Sequence, residues 1–473
     1  MKALLPELII LVTLFSVLSN RILARKIELS WFLSCAGLMA CLGSLFLTWD
    51  SSISVHFFSG GYGVNPISQF FKGLITFGVL LVVIGFKDCI KHFPLRFMNE
   101  IYILFLFSLL GIFGLASSQN FLMLFISLEL TSIPVYLLIA ADSSQNQAVE
   151  SSLKYFLLGS IASTAFLLGL SFIFPVIGNF SLASFQSALV AGQAMPLIFY
   201  IGIALMLVAV FFKISAFPFH FWAPDVYQGA PSLITGYMAT IVKSAGFIFL
   251  YKIFFQQMWK ANMQILFWAS GTIVLTMLWS SIMAVRQSNL KRLLAFSGIS
   301  HVGYILIGVL IMMTGTNDAW RAGLSDILFY MFAYLFMGLG AFAILAYLNI
   351  EAMSEIKGLG HKSPFIAAVF TLILISLAGF PPSLGFWAKI YLFMDAISVG
   401  VTGVVILACI NTLIGAYYYF RIVKAMYLET SSDQSTNFVQ GYGLLGVVVL
   451  CGFSSLVLGF FPVIKNWLNI IIL

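Results

Sequence analysis

Of the 473 residues in this chain, 61% are hydrophobic, 48 are Phe and only 8% are charged. A soluble globule usually carries about a quarter of its residues as charges, so this composition excludes one. The formal net charge of +7 is read as the bias of Lys and Arg toward the inner face of a membrane, not as a nucleic-acid footprint.

Continuous apolar runs of about 20 residues match a ~30 Å hydrocarbon core, and their lack of alternation argues against a barrel. The expectation is an all-α polytopic membrane protein, with about fourteen spans starting near residues 3, 29, 68, 100, 120, 148, 196, 231, 264, 290, 323, 364, 400 and 438. They fill a single membrane domain, 1–473: helices 1–3 at 1–98, helices 4–8 at 100–255, helices 9–13 at 262–428 and helix 14 at 436–473. The first run, Leu4–Asn20, has the length of a signal peptide, but no small-residue cleavage site precedes Arg21, Arg25 and Lys26, so it is read as a retained helix.

With both termini outside, 13 of the 23 Lys and Arg fall at inner loops, Arg25, Lys91, Arg96 and Lys291 among them. Lys2, Lys72, Lys252, Lys260, Arg321 and Lys465 fall outside or at outer ends. Cys35, Cys41, Cys89, Cys409 and Cys451 are scattered without CxxC spacing. Neither zinc nor an iron–sulfur cluster is expected, and electrons are not expected to pass through this chain.

Spans seven and twelve, Met195–Gln228 and Pro364–Asp395, each hold over 30 residues, which as straight helices would approach ~50 Å. Both are therefore expected to break. The break points are Ile214-Ser215-Ala216-Phe217-Pro218-Phe219-His220-Phe221-Trp222-Ala223 and Ile375-Ser376-Leu377-Ala378-Gly379-Phe380-Pro381-Pro382-Ser383-Leu384-Gly385-Phe386-Trp387-Ala388. Proline removes a donor and clashes with the preceding turn, and neighbouring Ser or Gly lets the chain leave the helix. The shared order Ile-Ser, Phe-Pro, Phe-Trp-Ala is an internal repeat five spans apart, and an odd offset inverts the two copies across the membrane. Paired broken helices in inverted halves point to a midplane ion site.

Glu129, Lys154, Lys213, Lys243 and Lys389 each lie within a long apolar run. A charge at the bilayer centre costs at least ~2.5–3.5 kcal/mol, so it survives facing a bundle interior, a partner charge or water. Glu129 is expected to face Lys213 and to modulate its proton affinity, a static ion pair being the alternative. Lys213 at the span-seven break and Lys243 twelve residues into span eight are too central to snorkel. Lys154 is nearer the inner end of span six, where snorkelling accounts for it as well as proton transfer does. Lys389 lies beyond the span-twelve break, on the outward half.

His220, in the turn between spans seven and eight, and His301 are secondary candidates, either as relays or as neutral hydrogen-bonded residues. Thr235, Ser244 and Ser300 either order bridging waters or bond a carbonyl of their own helix. Asp225 is placed in an inner loop.

The stretch from Phe217 to Pro231, with Lys213 before it and Lys243 after, resembles the proton-translocating antiporter-like membrane subunits of respiratory complex I. The run from Asn289 to Tyr304, together with Leu128-Glu129, Leu153-Lys154-Tyr155 and Trp387-Ala388-Lys389, extends the resemblance over nearly the whole chain. Within that group, residues 224–231, Pro-Asp-Val-Tyr-Gln-Gly-Ala-Pro, point to one branch, and no lateral helix is expected after span fourteen, unlike the group's largest member.

The resemblance implies fourteen helices with two inverted five-helix repeats, helices 4–8 and 9–13, and discontinuous helices 7 and 12. It implies Glu129 as the charge partner of Lys213, Lys154 on the inner-side input, Lys243 as the central relay and Lys389 as the outer-side lysine. It further implies a bacterial inner membrane, and as partners an adjacent antiporter-like subunit, small membrane subunits and lipid. No cofactor is expected in this chain, since NADH, FMN, iron–sulfur clusters and quinone would belong to partner subunits. Two other readings are a subunit of a multi-part sodium/proton antiporter and a non-transporting scaffold subunit.

Overall fold

The computed structural model describes residues 2–24, 26–49, 54–90, 98–142, 146–191, 195–256, 258–430, 439, 441–460 and 463–472. Arg25, Lys91 and Arg96, used above in the charge asymmetry, lie outside them.

In chain order the helices are α1 (Leu5–Leu23), α2 (Ile27–Leu47), α3 (Pro66–Cys89), α4 (Met98–Ser117), α5 (Phe121–Ile139), α6 (Asn146–Ile177), α7 (Leu182–Val190), α8 (Leu197–Ile214), α9 (Trp222–Gly229) and α10 (Ser232–Tyr237). A π turn, Met238–Val242, leads into α11 (Lys243–Phe254). Then come α12 (Met263–Val285), α13 (Leu290–Met312), α14 (Asn317–Leu348), α15 (Leu359–Lys362), α16 (Pro364–Ala378), α17 (Leu384–Ser398), α18 (Thr402–Leu428), α19 (Tyr442–Phe460) and α20 (Val463–Ile472). One departure from an all-α chain is a small antiparallel hairpin, β1 (Val55–Phe57) with β2 (Tyr62–Val64).

Among the described residues, 13 helical stretches are long and apolar enough to cross a membrane, and the shorter α16 is one half of the expected span twelve. The helix starts follow local chemistry. Asn65 accepts from the Ser68 amide while Ser68 reaches back, a capping box with Pro66 in the first turn. Asn120, Asn262 and Asn289 each cap the helix that follows with a side-chain oxygen.

Both proline-centred breaks are present. α8 stops at Ile214 and Ser215 turns left-handed (φ 61°), and α16 stops at Ala378 and Gly379 does the same (φ 86°). In each case the chain leaves the helix through a left-handed residue before the proline, the geometry in which a helix end hands its last carbonyls to new partners.

The chain forms two compact units. Unit one holds Met1–Ile214 and Ile241–Trp259, and unit two holds Ser215–Thr240 and Lys260–Leu473. Each has a glycine crossing that lets two backbones approach. In unit one a Cβ on Gly169 of α6 would meet the Gly202 carbonyl of α8 at 2.6 Å, and in unit two a Cβ on Gly323 of α14 would meet the Gly308 carbonyl of α13 at 2.5 Å. Small residues of this kind drive helix association where lipid offers no hydrophobic gain. In unit two, α13 and α14 are almost wholly enclosed, whereas α12 leaves most of its apolar surface outward.

Candidate functional site

Lys213, Lys243 and Lys389 are buried, Glu129 is partly buried, and Lys154 is not. The Lys154 side chain is 48% exposed and pairs with Glu150 one turn earlier at 2.5 Å. An i,i+4 partner of opposite charge on an outward helix face accounts for Lys154 without burial, in keeping with the snorkelling alternative.

In unit one, Lys213 occupies the last turn of α8, and its Nζ donates to Ser132 Oγ at 2.7 Å. Ser132 in turn donates to the Leu128 carbonyl (2.6 Å) on its own helix, α5. The rings of Tyr136, Tyr155 and Phe212 stand 5.7–5.9 Å from the ammonium, a range in which ring faces attract a cation. Glu129, one turn before Ser132 on α5, accepts from Ser163 Oγ of α6 at 2.5 Å. Glu129 therefore makes no direct pair with Lys213 within 4.0 Å, but its charge acts on the amine from nearby.

Lys243 opens α11 directly after the π turn, a distortion that recurs at functional positions. Gly246, one turn on, has no side chain because α8 passes there: a Cβ would meet Ile214 at 2.9 Å and the Lys213 backbone at 3.2 Å. That close approach brings the Lys243 turn beside the Lys213 turn. Ser244 is partly buried on α11.

Unit two holds two runs of hydrogen-bonded polar groups, both built on α13. His301 Nδ1 bonds the Tyr330 hydroxyl at 2.8 Å and its Nε2 bonds Tyr419 at 3.2 Å. Tyr419 bonds Ser297. Ser281 donates to Ser300 (3.1 Å), which accepts from Asn411 (2.8 Å), and Asn411 also donates to the Tyr304 hydroxyl at 2.9 Å. Lys389 lies 4.9 Å from the Tyr304 ring centroid. Its Nζ donates to the carbonyls of Leu377 (3.1 Å) and Ala378 (2.9 Å), the last residues of α16. A cation on orphan carbonyls at a helix C-terminus is favoured by both hydrogen bonding and the helix dipole.

Of the remaining expected residues, Thr235 and Asp225 have polar partners, whereas neither ring nitrogen of His220 meets a hydrogen-bond partner among the described residues. His220 is buried in the α8–α9 break between the rings of Phe217 and Phe221. Thr235 Oγ1 points back to the carbonyls of Tyr227, Ala230 and Pro231 at 3.1–3.3 Å, the local-carbonyl alternative. Asp225 is in the first turn of α9, not in a loop, and pairs with Arg292 at 2.5 Å.

Three lysines assigned above to membrane faces are in fact buried: Lys72, Lys252 and Lys291. Lys72 pairs with Glu7 at 2.5 Å, and Tyr62 donates to the same carboxylate oxygen at 2.6 Å. Lys291 pairs with Glu351 at 2.5 Å. All three were counted at loops or outer ends in the charge asymmetry, but packing against other helices buries them. A further acid, Asp326 of α14, is fully buried. Among the described residues no group of three or more His, Cys, Asp or Glu is placed to hold a metal ion.

Apolar helices, two spans broken ahead of prolines, and buried amines define a membrane protein of the antiporter-like class. The family described as NADH:quinone oxidoreductase/Mrp antiporter, TM, matches residues 118–415. NADH-quinone oxidoreductase subunit N of Methylovorus glucosotrophus is 34% identical over 97% of this chain and 95% of its own length. The subunit N of Dehalococcoides mccartyi is 33% identical over 100% of this chain and 98% of its own. A chain of respiratory complex I from Thermus thermophilus superposes with a TM-score of 0.81 at 30% identity, over 99% of this chain and 100% of that one. The chain belongs to the subunit N family of NADH-quinone oxidoreductase. An Mrp complex chain from Dietzia matches with a TM-score of 0.87 at 18% identity, a likeness of fold alone that does not favour the sodium/proton antiporter alternative.

Proposed function

We propose that this chain, a proton-translocating membrane subunit of NADH:quinone oxidoreductase, moves protons through Glu129, Lys213 and Lys243 in unit one and through Lys389 in unit two. The observation that carries the assignment of residues is the meeting of the Lys213 and Lys243 turns at Gly246, each amine beside a helix irregularity. A buried amine that gives up its proton loses its charge, and desolvation assists that loss.

The Lys213 ammonium leans on a hydroxyl, while the Glu129 charge acts on it without touching it. A change in the field at Glu129 therefore alters the hold on the Lys213 proton. When that hold weakens, an N–H bond of Lys213 breaks and one forms on the Lys243 amine, so a single positive charge moves and none is created. Ser132 can turn its hydroxyl to donate to the neutral Lys213. Lys154 serves the inner-side input, from an exposed position. In unit two, His301 and the tyrosine, serine and asparagine groups around it supply a relay, with Ser300 inside it and Lys389 at its outer end. The matching breaks support reading helices 4–8 and 9–13 as inverted repeats.

The chain is part of a translocase and carries out no redox step. NADH oxidation and quinone reduction belong to partner subunits, with FMN and iron–sulfur clusters held there. Its partners are membrane subunits, among them an adjacent antiporter-like subunit and small membrane subunits. It resides as a multi-pass protein in a bacterial inner membrane.

The decisive test is Lys243→Met in membranes containing the assembled complex. NADH-driven proton movement is expected to fall several-fold at unchanged complex content. Undiminished pumping with normal assembly would remove Lys243 from the route.

A further inference from the structure

A second group of ionisable residues stands apart from those used so far. Lys465 of α20 donates to Asp326 Oδ1 of α14 at 2.7 Å and to Asp395 Oδ2 of α17 at 2.9 Å, and lies 4.3 Å from the Tyr391 ring centroid. The Asp326 side chain has no solvent exposure. Its Oδ2 is buried and no donor among the described residues faces it. Asp326 and Asp395 thus meet at a single ammonium, each accepting from Lys465 Nζ. Two ionised carboxylates gathered on one cation leave a negative charge uncompensated, and a single bound proton would remove it. With both acids ionised, Lys465 offsets only one of two negative charges; with one proton bound, the group is neutral overall.

α17 also carries Lys389, six residues before Asp395, a rise of about 9 Å along the helix. We infer that Asp326 and Asp395 form a proton-holding pair that receives the proton leaving Lys389, with Lys465 as the positioning residue that keeps the two carboxyl groups together. In that step an N–H bond of Lys389 breaks and an O–H bond forms on the pair. The amine becomes neutral and the group falls from a net charge of one minus to zero, so charge is conserved. Tyr391, between Lys389 and Asp395 in sequence, presents its ring to Lys465. Among the described residues, Lys465 is the ionisable side chain bonded to both carboxyl groups. The inference rests on the proposed route through Lys389.

A purely structural role, in which the ions only fasten α20 to α14 and α17, makes a different prediction. The test uses the assembled complex in native membranes and four variants: Asp326→Asn, Asp326→Glu, Lys389→Met and the charge-matched double variant Asp326→Asn/Lys465→Met. Asp326→Asn is expected to lower NADH-driven proton movement several-fold, and Asp326→Glu to restore most of it. The double variant is expected to assemble normally and to pump as poorly as Asp326→Asn. Infrared difference spectra of the unmodified complex should contain a carboxyl band that disappears in Asp326→Asn. Full pumping by the double variant, or a carboxyl band unchanged in Asp326→Asn, overturns the inference. If Lys389→Met abolishes pumping while the double variant pumps fully, the pair alone is refuted. If Lys389→Met pumps normally, the route itself fails.

Discussion

The two interrupted helices place a lysine on opposite sides of the break and hold it in different ways. Lys213 precedes the break, and its ammonium reaches across to one hydroxyl on another helix. Lys389 follows the break and folds back onto the carbonyls that the break has freed. The first amine is held by groups that tolerate its neutral form, since Ser132 can donate as well as accept. The second caps two carbonyls, which only accept. The same proline-centred interruption thus has one lysine reach across to another helix and the other cap its own broken helix, where even the neutral amine keeps two N–H bonds for the two carbonyls.

Lys389→Met should break this contrast most sharply. It strands the Leu377 and Ala378 carbonyls, each costing about 1–3 kcal/mol when buried without a partner, whereas Lys213→Met strands no group, because the Ser132 hydroxyl already donates to Leu128. Thermal unfolding of the two purified variants should therefore show a clearly larger loss for Lys389→Met, and equal losses would sink the distinction. Gly379→Ala comes next. At φ 86° an added Cβ would meet Lys389 Cδ at 2.9 Å and Nζ at 3.0 Å, and the left-handed backbone adds about 1–2 kcal/mol of strain for a side chain. Lower thermal stability and slower pumping are expected together; a neutral outcome in both would show that the Lys389 contact is not needed.

Ser132→Ala removes the one hydroxyl that takes the Lys213 proton-bearing amine, a loss of about 1.5–3 kcal/mol for a bond to a charged group. Its signature should be a shift in the pH profile of proton movement with little change in complex content. An unaltered profile would mean that Ser132 is incidental.

The smallest effect is expected at the periphery of unit two, where Lys357 bonds Glu429 at 2.9 Å. That hydrogen bond holds the exposed Glu429 carboxyl below its ordinary range. A depressed carboxyl contributes stability that is present above its unfolded value and is lost as pH falls through the lower folded one. Glu429→Gln should thus flatten only the acid limb of a melting-temperature profile, and a change near neutral pH would contradict the assignment.

Much of this was readable in the sequence because proline leaves little choice. The breaks after Ile214 and Ala378 follow from Pro218 and Pro381 with their Ser and Gly neighbours, and the long apolar runs followed from bilayer thickness. Depth was less readable. Lys72 and Lys252 were placed at faces by their distance from span ends, but other helices bury them. Position alone leaves Lys154 open between snorkelling and proton transfer, and the side chain is half exposed on α6. Position along a helix is written in the sequence, while rotation about its axis is set by tertiary packing. Ser132 and Ser163 escaped notice for a similar reason: only their contacts across helices, Ser132 with Lys213 and Ser163 with Glu129, give a common residue type its meaning. The π turn before Lys243 has no signal of its own in Met238–Val242.

The division of the chain at Ile214 and again at Thr240 has a consequence for synthesis. Residues 215–240 belong to unit two, yet they emerge before α11, which unit one needs for completion. The first unit cannot close until a piece of the second has already been made and set aside. A cut anywhere in that loaned stretch would separate Lys213 from Lys243, so the two units cannot be traded between relatives as simple cassettes.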